Sequence, residues 1–456
     1  MYIIFLILIP INSIFTQNIF TEYLIFNEDT VDIFSYQIPN HYNENINVPL
    51  LVAFHEWGGN HNSNFYTNFD EEANQRGWFF LSPYGGSANN YSHQEAQVFF
   101  EQEIIWMINN FPIDQRRIYM VGGSMGGAAG AIYANNHLNP NKPMVAATAS
   151  GSGILDCERR FYEMDGNNSM IQWFGGSPIE VPFEYHRNSA VFFNDFSQSM
   201  HINLQYTPIY LDFGSTEAHR YHAEDIYDLL LDYNNNMWIE LQPNPGHGYS
   251  TMDEYHTCNW LQQFELIDDP LKINVNLDEP SRAYWIEALN QNNIQDFIHI
   301  NCEKDSNNNI IINEFSNSDT LLLFLINDTI PSHIHIHNNQ NNNINLGITG
   351  NETIVSMINE VEIVENENSN FENYNLYNNI IFLNIDIGNY TISFNEIFFY
   401  DLNQDGLWDV LDITILISFI LEMINPNELQ FELSDFNNDD QLNIYDIILI
   451  INLFYF

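Results

Sequence analysis

At 456 residues the chain exceeds one ordinary domain, and a 45% hydrophobic content supplies material for packed cores, which excludes a wholly disordered protein. Sixty acidic side chains against eleven basic ones give a formal charge of −49. A surface so repulsive to polyanions excludes nucleic acid and anionic membranes as partners and favours cations.

The opening "MYIIFLILIPINSIF" is an apolar run followed by polar "TQN". It is short for a bilayer span and, although it lacks a basic leader, reads as a secretory signal over residues 1–16. No later apolar run is long enough for a membrane span, so a secreted or cell-surface protein is expected. Between Tyr23 and Leu266 short buried-strand patterns alternate with helical ones. The strands are "PLLVAF" (49–54), "GWFFLSP" (77–83), "RIYMV" (117–121), "MVAATAS" (144–150) and "TPIYLDF" (207–213). The helices are "EAQVFFEQEIIWMINNF" (95–111) and "GGAAGAIYANNH" (126–137). Such alternation predicts an α/β domain over 17–268, built on a mostly parallel sheet. Residues 269–398 carry many short strand patterns between asparagine-rich breaks and are expected to form a β-rich module, a sandwich. Residues 399–456 contain an internal repeat: an acidic loop followed by an apolar helix begins at Asp401 and again at Asp435.

The strand "RIYMV" runs into Gly122-Gly123-Ser124-Met125-Gly126, and a helical pattern follows. A G-x-S-x-G match placed between strand and helix points to a sharp turn that presents a serine, with helix N–H groups behind it. A serine hydroxyl needs a base, and the base needs a carboxylate to fix its tautomer. His247, in the glycine-flanked "PGHGYS", is the expected base, and Glu217, just past the end of the strand 207–213, the expected acid. Asp212 lies inside that strand and Asp225 in the next helix, which makes them weaker choices. His219 and His222 read as pocket rim or surface. The second oxyanion donor should come from the loop after "LLVAF", so the N–H groups of Trp57 and Met125 are expected as the pair.

Together "VPLLVAFHEWGGN", "DQRRIYMVGGSMGGAAGAIYANNH", "ASGSG" and "PGHGYS" resemble the α/β-hydrolase superfamily over residues 23–266. Within it the likeness is to secreted esterases and polyester depolymerases, including feruloyl and acetylxylan esterases, next to prolyl-oligopeptidase-type domains. The resemblance implies an exported serine hydrolase acting through an acyl-enzyme on acylated polysaccharide or polyester fragments. A serine peptidase acting on peptides is the second reading. A non-catalytic binding or scaffold protein is the third; it draws on Glu56, which stands where the family usually has glycine after the loop histidine.

Three cysteines, Cys157, Cys258 and Cys302, contain no Cys-x-x-Cys spacing, so neither a zinc knuckle nor a dithiol redox site is indicated. Export would permit one disulfide, and Cys157–Cys258 is the expected pair because both should lie near the active-site end of the first domain.

The first acidic loop offers Asp401, Asn403, Asp405, the Leu407 carbonyl, Asp409 and Asp412 at positions 1, 3, 5, 7, 9 and 12, with Gly406 sixth. The second offers Asp435, Asn437, Asp439, Gln441, Asn443 and Asp446, with Asp440 in the glycine place. That spacing wraps hard oxygens round one Ca²⁺ per loop. The duplicated loop–helix unit resembles a type I dockerin, which implies two calcium ions and a cohesin-like or cell-surface partner; no cofactor is expected for catalysis. The places before the twelfth ligand hold Val410-Leu411 and Ile444-Tyr445, where dockerins usually carry small hydroxyl residues. His333, His335 and His337 in "HIHIH" would share one strand face, and an exposed face is expected there in preference to a zinc site.

Overall fold

The computed structural model describes residues 18–453 except 167, 244–245, 306, 308, 327–332, 341–342, 351–357, 366–368, 371–373, 378–379, 397–401, 403–409, 428–429, 432–433 and 436–440. The expected signal over residues 1–16 lies outside the described residues. The chain forms two compact units. One takes in the residues up to Glu303 together with Asn313–Thr320, and the other Lys304–Ile312 together with everything from Leu321 onward.

The first unit is built on an eight-stranded sheet. Its strands are β1 (Ile19–Phe26), β2 (Asp29–Gln37), β3 (Val48–Phe54), β4 (Phe79–Pro83), β5 (Ile113–Gly123), β6 (Ala147–Gly151), β7 (Ile209–Gly214) and β8 (Met237–Gln242), in the order β1-β2-β4-β3-β5-β6-β7-β8. β1, β2 and β4 pair antiparallel, and every pairing from β4 through β3 to β8 is parallel. The central strands are continuous apolar runs because both faces are covered. Leu50, Val52 and Phe54 of β3 enter one core with Ile118 and Met120. Their neighbours Leu51 and Ala53 enter the opposite core with Tyr119 and Val121. Helices α1 (Phe69–Arg76), α2 (Gln94–Asn110), α3 (Met125–Asn136), α4 (Cys157–Glu163), α5 (Met170–Phe174), α6 (Pro182–Arg187), α7 (Arg220–Leu230) and α8 (Glu254–Leu261) complete this part. The strands Lys272–Leu277 and Ile298–Lys304 pair antiparallel alongside. They are tied to the α/β body by Arg187 Nε on Asp278 (2.8 Å) and by Asn203 Nδ2 donating to the Asn276 carbonyl (2.8 Å).

The second unit is β-rich and ends in two helices. In the strand His333–Asn338, Ile334 and Ile336 are buried while His333 and His337 are exposed and His335 is half-buried, as the period of two requires. His335 Nδ1 pairs with Thr391 Oγ1 at 3.0 Å, and no cluster of three metal-ligating side chains occurs among the described residues. The tail helices α9 (Val410–Ile420) and α10 (Ile444–Leu453) share a small core with Leu402, Leu416 and Phe419. No helix among the described residues is long and apolar enough to cross a membrane.

The expected Cys157–Cys258 disulfide is not formed: all three cysteines are free and buried. Cys157 begins α4 and packs with Tyr91, Met125 and Phe161, its Sγ donating to the Asn188 carbonyl at 3.1 Å. Cys258 lies in α8, in a different core, with Phe69 and Tyr119. Burial pushes both thiols up to about 12, so neither supplies thiolate at neutral pH. A chromogenic disulfide reagent is therefore expected to titrate no fast thiol in the native chain and all three cysteines in denaturant; one reactive thiol in denaturant would mean a bridge.

Candidate active site

β5 ends at Gly123 and α3 begins at Met125, so Ser124 alone makes the turn. Its φ of 55° and ψ of −117° lie where L-residues rarely go, at a cost of roughly 1–3 kcal/mol. The turn closes only because its flanks lack side chains. A Cβ on Gly122 would stand 2.0 Å from the Gly126 carbonyl oxygen, and one on Gly126 would stand 2.3 Å from that of Phe54. The Ser124 N–H donates to Gly151 O (2.8 Å) and its carbonyl accepts from Gly127 (3.0 Å). β3 lies between β4 and β5, so the strand order reverses here, and the crevice at the strand C-termini is where open α/β sheets take ligands.

His247 follows β8 in a loop shaped by Ser250, whose hydroxyl accepts from the His247 N–H (2.9 Å) and donates to its carbonyl (2.7 Å). His247 Nε2 stands 2.7 Å from Ser124 Oγ, and Nδ1 meets Glu217 Oε1. With the proton on Nδ1 directed at the carboxylate, Nε2 is left as an acceptor for the serine hydroxyl. The Glu217 side chain is 5% exposed against 44% for His247. Burial raises the Glu217 pKa, but bonds from His247 and from Ser152 Oγ (2.5 Å), with the Gly214 N–H at 3.3 Å, outweigh it and leave the carboxyl below its usual range.

The other acids are otherwise engaged. Asp212 is fully buried in β7, accepts from Gln242 Nε2 at 3.3 Å, and is pushed up to about 7 by burial. Asp225 pairs with Arg159 at 2.7 Å. His219 lies at the rim, its ring 5.7 Å from that of His247. Its Nδ1 donates to Glu163 (3.0 Å) and its Nε2 accepts from Arg160 (2.8 Å). His222 is not a surface residue: it is completely buried, and Nδ1 accepts from the Asp156 N–H at 3.2 Å. Burial alone would raise Glu163, but His219 Nδ1 at 3.0 Å and His222 Nε2 at 3.5 Å hold it well below the usual carboxylate range.

Met125 opens α3, so its N–H has no carbonyl one turn back within the helix. Trp57 follows β3 in a turn closed by Gly59 N–H on Glu56 O (2.9 Å), while the Gly58 N–H donates to Ala88 O (2.7 Å). The 84–88 loop that receives this bond is itself held by Asp32, which accepts from Gly85 (2.7 Å) and Gly86 (3.0 Å). Glu56 bonds away from this turn: its Oε1 accepts from the Tyr249 N–H at 2.8 Å.

Two contributors escape a reading by motif. Ser152 sits within "ASGSG" at a φ of 52°, and only the fold brings its hydroxyl to Glu217. Glu163 has no motif; its place is set by α4, which the long connection between β6 and β7 supplies.

In the tail, Asp412 and Asp446 are fully buried in the first turns of α9 and α10. Each reaches back onto its loop: Asp412 Oδ1 accepts from the Leu402 N–H (2.8 Å) and Asp446 Oδ2 from Asn443 (2.8 Å). Asp435, Gln441 and Asn443 are also described, whereas Asp401, Asn403, Asp405, Leu407, Asp409, Asn437 and Asp439 lie outside the described residues.

The strand order and the strained serine turn at the switch point define an α/β-hydrolase fold, followed by a β-rich region and a small helical tail. Residues 399–454 match the family model of the Dockerin type I domain. A comparison with curated proteins gives no match. Among solved structures the chain is similar to the fluorophosphonate-binding serine hydrolase F of Staphylococcus aureus, with 14% identity over 54% of this chain and 98% of that one and a TM-score of 0.41. It is also similar to a ferulic acid esterase, with 14% identity, 54% and 96% coverage and a TM-score of 0.40. The acylaminoacyl peptidase of Pyrococcus horikoshii matches with 14% identity, 54% and 41% coverage and a TM-score of 0.40.

The glycine requirement is testable apart from any activity. Gly122→Ala must displace the first turn of α3 and is expected to cost roughly 1–3 kcal/mol in denaturant unfolding, the range of overpacking. An unchanged midpoint would show that the turn has room to give.

Proposed function

We propose that this chain is an exported serine hydrolase that cleaves carboxylic esters on a polysaccharide or in polyester fragments, anchored by a calcium-binding dockerin tail. The observation that carries the reading is the hydrogen-bonded line Ser124 Oγ–His247 Nε2, His247 Nδ1–Glu217. His247 takes the serine proton as Oγ attacks the acyl carbon, and Glu217 stabilises the imidazolium so formed. The Trp57 and Met125 N–H groups receive the oxyanion, each such donor lowering the barrier by on the order of 3 kcal/mol. The alkoxide leaves with the proton from His247; water activated by the same imidazole then releases the acid and frees Ser124.

In the tail, Asp401, Asn403, Asp405, Leu407 O, Asp409 and Asp412 would hold one Ca²⁺, and Asp435, Asn437, Asp439, Gln441, Asn443 and Asp446 a second. The residues fit: a fully buried carboxylate at the twelfth place of each loop, turned back on that loop, suits an oxygen-liganded cation. Bound calcium would stabilise a core too small to fold on its own. Val410, Leu411, Ile444 and Tyr445, 52–67% exposed just before those ligands, replace the small hydroxyl residues by which dockerins usually read a cohesin, so a cohesin-like or cell-surface partner would meet an apolar face here.

Ser124→Ala should lower p-nitrophenyl ester hydrolysis by about 10³-fold or more and abolish labelling by a fluorophosphonate. Equal rates in wild type and variant would overturn the reading. Because Glu217 is held below its usual range it stays ionised through the histidine window of about pH 5–8. The pH profile of activity should therefore show no carboxylate ionisation in that window, and a carboxylate titrating there would argue against Glu217. Calorimetric titration of the full chain should find two calcium equivalents, with Asp412→Ala and Asp446→Ala each removing one, and chelation should leave ester hydrolysis within about twofold.

A further inference from the structure

We propose that Glu56 is a positioning residue that braces the His247 loop against the oxyanion loop. The inference rests on the reading of Ser124, His247 and Glu217 given above and extends it to a side chain outside that line. Glu56 stands between His55, the first residue past β3, and Trp57, the proposed oxyanion donor. Its Oε1 accepts from the main-chain N–H of Tyr249, two residues beyond His247, at 2.8 Å. Tyr249 returns the tie: its hydroxyl donates to the Phe54 carbonyl, the last of β3, at 2.8 Å. Two hydrogen bonds running in opposite directions thus join Phe54–Glu56 to Tyr249.

The carboxyl reaches its partner through a gap made by two glycines. A Cβ on Gly248 would stand 1.9 Å from Glu56 Oε1, and one on Gly123 would stand 2.6 Å from it. Gly248 also turns at φ 63°, a conformation that glycine adopts without strain. Gly123 precedes the serine and Gly248 follows the histidine, so the three segments "HEWGG", "GGSMG" and "GHGY" meet round one side-chain oxygen. The consequence is a coupling of geometry: the reach from His247 Nε2 to Ser124 Oγ and the position of the Trp57 N–H depend on the same brace. Glutamate at this place is therefore a part of the site and not a defect in it. Glycine at 56 would leave the Tyr249 N–H without this acceptor.

Glu56→Gln, Glu56→Asp and Glu56→Ala separate reach from charge. Gln keeps an oxygen at the same distance, Asp keeps the charge one methylene short, and Ala removes both. With p-nitrophenyl acetate, well below every measured melting temperature, Gln is expected within about threefold of wild-type kcat. Ala and Asp should each lose roughly 10–100-fold in kcat with KM within about twofold, the scale set by an ångström of misplacement. Labelling of Ser124 by a fluorophosphonate should slow in parallel. If Ala does not fold, the contrast between the Gln and Asp variants still tests the brace. An Ala kcat within twofold of wild type, or Asp active where Gln is not, overturns the proposal. A wild type that neither hydrolyses the ester nor labels overturns the reading of Ser124, and this inference with it.

Discussion

Backbone passing backbone at the C-terminal ends of β3 and β5 is the constraint on which the rest depends. The start of α3 lies so close to the end of β3 that no side chain fits at Gly126, and the turn folds back so tightly that none fits at Gly122. Ser124 pays for this contact with a left-handed conformation. A lone hairpin could not hold such a turn. Here it is held by strands whose alternate residues are buried in cores on both faces, so any relaxation of the turn would disturb packing on two sides at once.

The two carboxyl groups near the crevice show how surroundings divide roles. Asp212 lies inside β7 and Glu217 just past its end, and both are withdrawn from water. Glu217 gathers donors from His247, Ser152 and Gly214 and is held ionised. Asp212 has Gln242 at 3.3 Å, and burial dominates, which lifts it towards neutrality. Hydrogen bonding to the charged form, and not distance along the chain, separates the two. A similar arrangement recurs at Glu163, where two imidazoles offset burial.

Much of the fold was legible because its central strands are apolar runs, three of them ending in glycine, and because α2 carries apolar residues at helical spacing while α3 follows a glycine-rich turn as a run of small residues. The expected strands at 49–54, 77–83, 117–121 and 207–213 overlap β3, β4, β5 and β7, and the expected helices match α2 and α3 within one residue at each end. Ser124, Glu217 and His247 could be named because strand-end position and chain order narrow the choice, and the structure brings those three side chains together. Ser152 and the Glu56–Tyr249 tie were not legible: both depend on where separate loops cross, which no local pattern encodes. The Cys157–Cys258 expectation failed for a related reason. Proximity to one end of the sheet does not place two residues in one core, and these belong to different ones. His222 is buried against expectation because it shares the inner face of α7 with Ile226 and Leu230, at a spacing of four residues.

The chain holds Cys157, Cys258 and Cys302 unlinked and buried. Its covalent framework contains nothing that a reductant could open or an oxidant must first close. The two thiols of the α/β body belong to its packing: Cys157 lies in the core that holds Met125, and Cys258 in the one that holds Tyr119.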